Sequence, residues 1–170
     1  LWLWCDLTER GAALDGITGA SSLLERHWQD IKARLAHNHD ITDGAAEELA
    51  AQIREATASR GRLDFPAAAI PHGRGLEALA SESFLDRLEP GRFRISHQRF
   101  LDFQVASAVY RDVLASRTTL AEWILAGEQS LMRREQVRQV IALLRDDDRD
   151  AYISAAHGLL TLPGVREHIR

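Results

Sequence analysis

The stretch RFRISHQRFLDF, residues 92–103, constrains the fold of this chain because its hydrophobic period changes in the middle. Phe93, Ile95 and His97 alternate with polar residues, which is the two-residue period of a half-buried strand. From His97 onward the apolar face recurs at spacings of three and four, which is the period of a helix. The helical positions are Phe100, Leu101, Gln104, Val105, Ala108 and Val109. The sequence therefore predicts a strand that runs directly into a helix, with His97 at the last inward position of the strand.

The segment before this strand carries helix and turn signals in a recognisable order. Pro90 and Gly91 are the residues that a type II turn favours at its two central positions, and alternating segments flank them. Upstream, the predicted elements are a helix capped by Asp43, an extended segment at 63–66, a short helix from Pro66 to about Pro71 and a third helix around Leu76 and Leu79. This order is that of a winged helix. The predicted fold class is therefore mainly α, with a winged-helix domain of three helices and a small β-hairpin wing, flanked by helical segments.

The residues before the winged helix are also predicted to be helical. Residues 1–10 look like the end of a buried helix. Ser22, followed three residues later by Glu25, has the sequence of a capping box, and an amphipathic helix follows it. The inward positions of this helix are Leu24, Trp28, Ile31 and Leu35. The polar stretch AHNHDITD then predicts a break in the helix at 36–43.

The C-terminal part is predicted to consist of antiparallel helices. A long apolar-faced helix runs from Gln98 to about Ser116, and Thr119 with Glu122 forms a capping box for the next helix. The helix after that is predicted to bury Leu131, Val137, Val140, Ile141 and Leu144. The acidic run at 146–148 is interpreted as a helix boundary, where carboxylates favour the N-terminus of the last helix. Short connections favour antiparallel neighbours, so one interpretation is the start of an α-solenoid, although no repeat period is visible.

Composition limits the class of protein. The 170 residues carry a net charge of -4, which gives no general attraction to nucleic acid or to anionic membranes. The single cysteine, Cys5, lies in an apolar run and cannot form an internal disulfide, so a reducing, cytoplasmic location is expected. No apolar stretch approaches the roughly 20 residues that cross a bilayer, and no membrane association is expected. Because the chain opens on Leu1 and its only methionine is Met132, we expect it to be part of a longer protein.

Each residue cluster that could carry chemistry also has a structural explanation. The only lysine, Lys32, lies inside a predicted helix and follows no glycine, so this chain holds no phosphate-binding loop. The HNHD cluster at 37–40 has metal-ligand residue types, but its spacing favours a solvated loop, and no metal site is predicted. No nucleophile or pair of acids shows a catalytic arrangement, so no enzyme activity is predicted for this chain. On composition alone, His97 is a neutral, hydrogen-bonded core residue. The tryptophans Trp2, Trp4, Trp28 and Trp123 are interpreted as core packing.

The helix that would enter a DNA groove is poorly suited to it. It carries Glu77 and Glu82 and, at its start, Arg74, whereas phosphates and base edges are contacted by arginine, lysine, asparagine or glutamine. The wing carries the arginines Arg87, Arg92 and Arg94. These leave a contact with the DNA backbone open, yet DNA is not the expected partner.

Two stretches carry a resemblance to a known family. FRISHQRFLDFQVASAVY, residues 93–110, resembles the end of the winged-helix domain in STAND NTPases, the switch ATPases of the NACHT and NB-ARC type. The shared pattern is a strand aromatic, a histidine, an acidic-aromatic pair and a small residue, matched here by Phe93 or Ile95, His97, Asp102, Phe103 and Ala106. ITGASSLLERHWQDIKARL, residues 17–35, is similar to the lid helix of bacterial members. Together the two similarities cover about residues 1–113.

The resemblance implies a role for His97 and a division into domains. In the family, the winged-helix histidine contacts the β-phosphate of bound ADP and holds the protein closed, so His97 would take this role. The implied domains are a helical lid at 1–40, a winged helix at 41–113 and helical hairpins at 114–170 that start a sensor region. The phosphate loop and the Mg²⁺-binding acids would lie upstream of Leu1. Bound ADP or ATP and Mg²⁺ are therefore expected only in the longer parent protein, an ATPase whose upstream core is the partner of this chain.

The same resemblance implies a homo-oligomer on activation and a function in bacterial defence or signalling. A second interpretation remains open, namely a free-standing winged-helix module that binds nucleic acid or protein and carries a helical scaffold segment. A phosphate loop encoded upstream of Leu1 would distinguish the first interpretation from the second.

Overall fold

The structure is a computed structural model that describes residues 7–8, 19–58, 62–71 and 73–169. Its helices include α1 (Ala20–His39), α2 (Asp43–Ala58), α3 (Gly73–Ser81), α4 (Gln98–Leu114), α5 (Leu120–Leu125), α6 (Leu131–Asp147) and α7 (Arg149–Thr161). Its strands include β1 (Asp64–Pro66), β2 (Leu85–Glu89) and β3 (Arg92–Ile95), and a 3₁₀ turn spans Ala67–Ala69. The chain divides into two compact units, Leu1–Leu101 and Asp102–Arg170, which we call the N-terminal unit and the C-terminal unit.

Several predictions near the N-terminus lie outside the described residues. They concern Trp2, Trp4 and Cys5 and most of the helix expected at 1–10. Leu7 and Thr8 are described, and both are helical. Leu7 is fully buried.

The other two tryptophans differ in burial. Trp28 is buried, as predicted, and its indole N–H donates to Glu47 at 2.8 Å. Trp123 is only half-buried, and the guanidinium carbon of Arg133 lies 3.8 Å from the centroid of its ring. The core-packing interpretation therefore holds for Trp28 and only partly for Trp123, whose ring is covered by a cation.

Helix α1 begins earlier than predicted. Gly19 precedes its first residue, and the N–H of Gly19 donates to the hydroxyl of Ser22 at 3.1 Å, while that hydroxyl donates to the carbonyl of Gly19 at 2.9 Å. Glu25 instead accepts a hydrogen bond from Gln29 at 2.6 Å. The predicted capping box of Ser22 and Glu25 is therefore wrong. The predicted inward residues Leu24, Trp28, Ile31 and Leu35 are all buried.

Helix α1 also ends later than predicted. The HNHD segment at 37–40 was expected to be a solvated loop, but its first three residues form the last turn of α1. Asp40 follows in the left-handed region at φ 55°, and its N–H donates to the carbonyl of Leu35. Asparagine and aspartate tolerate this conformation better than most residues. The helix thus brings His39 to its C-terminal end.

Helix α2 begins at Asp43, but its cap is the preceding residue. The hydroxyl of Thr42 accepts the N–H of Ala45 at 3.3 Å. Asp43 lies in the first turn, and its carboxylate is 3.6 Å from the ammonium of Lys32. The buried face of α2 includes Ala46, Leu49, Ala50 and Ile53.

The three strands form one antiparallel sheet in the order β1-β3-β2. In the β1 and β3 pair, Phe65 lies opposite Phe93, and their ring centroids are 6.3 Å apart. The β2 and β3 hairpin turns at Pro90 and Gly91. Gly91 has φ 78°, the left-handed backbone that a type II turn requires at its second central position. The predicted hairpin is confirmed, and the pairing of β1 with β3 is an addition to it.

The prediction of a mainly helical protein with a small antiparallel sheet is confirmed. The short helix predicted from Pro66 to about Pro71 is a single 3₁₀ turn, Ala67–Ala69, so two α-helices rather than three precede the hairpin within 41–97. The hairpin is also part of a three-stranded sheet. Among the helices of the described residues, none is both long enough and apolar enough to cross a bilayer.

The C-terminal unit has its own apolar core. Its buried members are Ala106, Val109, Leu120, Ile124, Val137, Val140, Leu144, Ala155, Leu159, Val165 and Ile169. Helix α7 packs against both α5 and α6. The predicted burial of α6 is confirmed at three of five positions, and Ile141 is half-buried. Leu131 was predicted to be buried but is 73% exposed, because it is the first residue of α6 and extends beyond this core.

Asp148 lies between α6 and α7 and caps α7. Its carboxylate accepts the N–H groups of Asp150 at 3.0 Å and of Ala151 at 2.9 Å, which confirms the acidic run as a helix boundary.

We expect Asp148→Ala to lower the free energy of unfolding by about 1 kcal/mol, because two N–H groups lose their acceptor. Asp146→Ala is the control, since Asp146 is exposed and pairs with its neighbour Arg145, which is also exposed. Equal losses for the two variants in urea denaturation would contradict the capping role.

Candidate functional site

His97 lies between strand β3 and helix α4, and its side chain is exposed. The strand ends at Ile95, so the prediction that His97 takes the last inward position is wrong, and His97 is not a core residue. The reason lies in Ser96, whose N–H donates to the carbonyl of Phe84 at 3.1 Å. The hydroxyl of Ser96 donates to the carbonyls of Ser83 and Phe84 at 3.0 and 3.1 Å. These bonds hold a bend in the backbone that takes His97 out of the alternating period.

An aromatic cluster orients the His97 ring. The ring meets Phe100 edge-on, with centroids 5.7 Å apart and planes at 77°. The N–H of Phe100 donates to the carbonyl of His97 at 2.9 Å. Phe100 is buried and stacks on Phe84 at 5.7 Å and on His27 at 4.9 Å. The exposed imidazole of His97 is therefore attached to a buried and closely packed support.

The other residues of the sequence pattern that includes His97 lie in the core. Asp102 is 1% exposed, and its carboxylate accepts a hydrogen bond from Gln136 at 3.2 Å. Phe103 and Ala106 are also buried. A fully buried side chain cannot meet a ligand outside the core, so His97 is the accessible member of this group.

A second polar cluster, which we call the Glu82 cluster, lies where α1 packs against α3. Glu82 is 8% exposed, and its carboxylate accepts hydrogen bonds from Arg34 at 2.5 Å and Asn38 at 3.1 Å. The Nε2 atom of His39 lies 3.2 Å from the same carboxylate, and Arg34 also pairs with Asp30. The sequence pattern assigned Glu82 to the helix that would enter a DNA groove, and it did not predict this cluster. Its only local signal is the spacing of four between Asp30, Arg34 and Asn38, which puts them on one face of α1.

The surroundings of Glu82 lower the pKa of its carboxyl below the ordinary value. Burial is the largest single influence and acts in the opposite direction, because desolvation disfavours the charged form. The hydrogen bonds from Asn38 and Arg34, the positive charge of Arg34 and the hydrogen bond from His39 together outweigh burial. Glu82 is therefore an ionised anchor between α1 and the end of α3.

Ser81, His39 and Glu82 have the residue types of a catalytic triad but not its geometry. The Ser81 hydroxyl lies 3.1 Å from Nε2 of His39, and the Glu82 carboxylate lies 3.2 Å from the same nitrogen. In a triad, the hydroxyl and the carboxylate contact opposite nitrogens of the ring. One nitrogen cannot accept the serine proton while it donates to the carboxylate. The cluster therefore does not activate Ser81, whose hydroxyl donates to the carbonyl of Ala78 at 2.8 Å.

Each arginine of the hairpin forms an ion pair. The pairs are Arg87 with Glu77 at 2.8 Å, Arg94 with Asp86 at 3.0 Å, and Arg92 with Asp64. The hydrogen bond from Arg92 is the main cause of a lowered pKa for the Asp64 carboxyl. Binding to the DNA backbone depends on cations that neutralise phosphates. Because an internal carboxylate already neutralises each of these arginines, the hairpin offers little free positive charge.

The ammonium of Lys32 is paired with two carboxylates. Lys32 is buried, and its ammonium lies 3.3 Å from Glu47 and 3.6 Å from Asp43. Within the part of the chain that the structure describes, no group of three or more His, Cys, Asp or Glu residues could hold a metal ion.

Comparisons of this chain with models of protein families, with curated proteins and with solved structures found no match.

Proposed function

We propose that this chain is the regulatory, nucleotide-sensing part of a STAND-type ATPase switch in a bacterial defence or signalling system. In this proposal His97 contacts a phosphate of the nucleotide that an ATPase core of the same polypeptide binds. The observation that carries the proposal is the exposure of His97 at the junction of β3 and α4. An imidazole N–H can donate to a phosphate oxygen, and nearby negative charge favours the protonated ring.

The proposal interprets the segment from α2 to β3 as a winged helix. The order of α2, β1, the 3₁₀ turn, α3, β2 and β3 supports this interpretation, as does the hairpin turn at Pro90 and Gly91. The helices of the C-terminal unit would then begin the sensor region that follows. ADP, ATP and Mg²⁺ are proposed as ligands of the ATPase core and not of this chain.

The charges of α3 and the hairpin support a protein partner over DNA. On α3, Glu77 neutralises Arg87 of the hairpin, and Glu82 follows the helix as a buried anion. A free-standing module that binds nucleic acid would need cations available to phosphates at this surface. We therefore propose the ATPase core as the principal partner, with a homo-oligomer forming on activation.

His97→Ala in the parent protein tests this function. We expect ADP to dissociate about ten to a hundred times faster, because one charge-assisted hydrogen bond to phosphate is lost, worth about 1.5–3 kcal/mol. Such a loss also shifts a closed population of about 99% toward the open form. The measurement is the release of a fluorescent ADP analogue from the purified protein in stopped flow.

The matched control is His37→Ala, which removes an exposed histidine from the last turn of α1. It should leave ADP release unchanged. The melting temperature of each variant, measured without nucleotide, separates packing from ligand contact. A lowered melting temperature for His97→Ala together with unchanged ADP release would refute the proposed role of His97.

A further inference from the structure

A cleft of about 520 Å³ lies in the N-terminal unit, between the end of α1, the start of α2 and the start of α3. Pockets that bind small molecules usually have volumes of about 300–1,000 Å³. The cleft is lined by residues of all three helices and of the segment before α3, and His97 is not among them. Any ligand in this cleft is therefore separate from the nucleotide contact proposed for His97.

One part of the cleft lining is apolar. It comprises Ile41, Leu49 and Pro71. Leu49 is 3% exposed and belongs to the buried face of α2, so its position is held by packing. This part of the lining can accept an aliphatic side chain of a ligand, since apolar contact is the main source of affinity in such pockets.

Charged side chains of both signs also line the cleft. Arg74 comes from α3, and Asp40 follows α1. Among the described residues, neither Arg74 nor Asp40 forms an ion pair, whereas Arg34 and the hairpin arginines are all paired with carboxylates. Glu48 adds a second carboxylate, of which one oxygen accepts a hydrogen bond from Gln52 at 3.4 Å. The cleft thus offers a cation for an anionic group and carboxylates for a cationic group.

His39 and Gly73 also line the cleft. The His39 ring is held by Ser81 at 3.1 Å and by Glu82 at 3.2 Å, so this wall is connected to the Glu82 cluster. A Cβ atom built on Gly73 would meet no other atom within 4 Å. A larger side chain therefore fits at Gly73 without a clash and would narrow the cleft that this residue lines.

We propose that this cleft binds a short zwitterionic peptide with apolar side chains. The peptide carboxylate pairs with Arg74, its ammonium group with Asp40 and Glu48, and one side chain packs on Ile41 and Pro71. The three kinds of contact correspond to the three chemical groups of such a ligand, and the volume exceeds what a single amino acid needs. The inference stands on the cleft alone and does not depend on a nucleotide function.

The dipeptide Leu-Leu with free ends is the probe, titrated into the 170-residue chain and followed by amide chemical shifts. We expect saturable shifts at residues of the cleft. Arg74→Gln should weaken binding by at least about tenfold, the effect of losing one charge-assisted contact. Leu-Leu amide lacks the carboxylate, so it should bind the unchanged protein as weakly as Leu-Leu binds the Arg74→Gln variant. Arg74→Gln should not change the affinity for the amide.

Two more variants keep the outcome unambiguous. Arg87→Gln removes the same charge from a hairpin residue that does not line the cleft, and it should leave the affinity unchanged. Gly73→Leu should abolish binding while the amide spectrum remains that of the folded protein. The proposal is overturned if Leu-Leu gives no saturable shifts below about 10 mM, an affinity too weak to count as a site. It is also overturned if the amide binds as well as the acid, or if Arg87→Gln weakens binding as much as Arg74→Gln.

Discussion

Replacing Leu144 with alanine is expected to lower the free energy of unfolding by about 2–5 kcal/mol. Leu144 is fully buried in the core of the C-terminal unit, where α6 packs against α7. The shorter side chain loses the free energy of transfer of its removed carbons, and the surrounding helices cannot fully close the cavity. The loss is measured by urea denaturation followed by circular dichroism.

Leu131→Ala is the matched control, since the two leucines lie on the same helix and the same atoms are removed. Leu131 is 73% exposed, so the change should stay within about 0.5 kcal/mol. The two variants also distinguish the structure from the sequence-based prediction, because hydrophobic periodicity predicts that both leucines are buried, whereas only Leu144 is buried in the structure. Equal losses for the two variants would mean that α6 buries a different face.

The errors at Leu131 and His97 have one physical origin. Both residues continue the apolar period of an element, yet each lies at or beyond the end of that element. Periodicity indicates a face, but it does not indicate how far the neighbouring layer covers that face. At His97 the backbone also bends, through the hydrogen bonds of Ser96 to Ser83 and Phe84, and these partners lie more than ten positions away in the sequence.

Local chemistry was predictable where neighbouring residues determine it. Pro90 and Gly91 specify their turn because only certain backbone angles suit them, and Thr119 caps α5 together with Glu122, as its sequence predicts. Ser22 and Glu25 have the same capping-box pattern as Thr119 and Glu122 but do not form a cap. The helix begins two residues upstream of Ser22, directly after Gly19, so Ser22 lies inside the first turn and not before it.

The Glu82 cluster could not be predicted from the sequence, because its partners are distant along the chain. Arg34 and Asn38 are separated from Glu82 by 48 and 44 positions. Only the packing of α1 against α3 brings them together. The sequence therefore shows Glu82 as one more exposed acid, whereas the structure makes it a buried link between two helices.

Replacing Glu82 with alanine is expected to lower the free energy of unfolding by about 2–3 kcal/mol. The change removes the Glu82 carboxylate as an acceptor for the half-buried guanidinium of Arg34 and for the amide of Asn38. The effect is smaller than for an isolated buried ion pair because Arg34 keeps its pair with Asp30. Glu77→Ala is the control on α3, where both Glu77 and its partner Arg87 are more than half exposed. That variant should lose no more than about 1 kcal/mol.

The contribution of Glu82 to the free energy of unfolding should also depend on pH. Glu82→Gln isolates this dependence, because glutamine has nearly the same size as glutamate but cannot ionise. The folded pKa of Glu82 lies below the ordinary value of 4.5, so the ionised carboxylate adds stability above that value. As the pH falls through the lowered folded pKa, the carboxylate takes up a proton, and this stability is lost. The difference in unfolding free energy between the unchanged protein and Glu82→Gln should therefore be constant near neutral pH and shrink below pH 4.5. A difference that stayed the same across that range in denaturation curves would show that shape, and not charge, explains the role of Glu82.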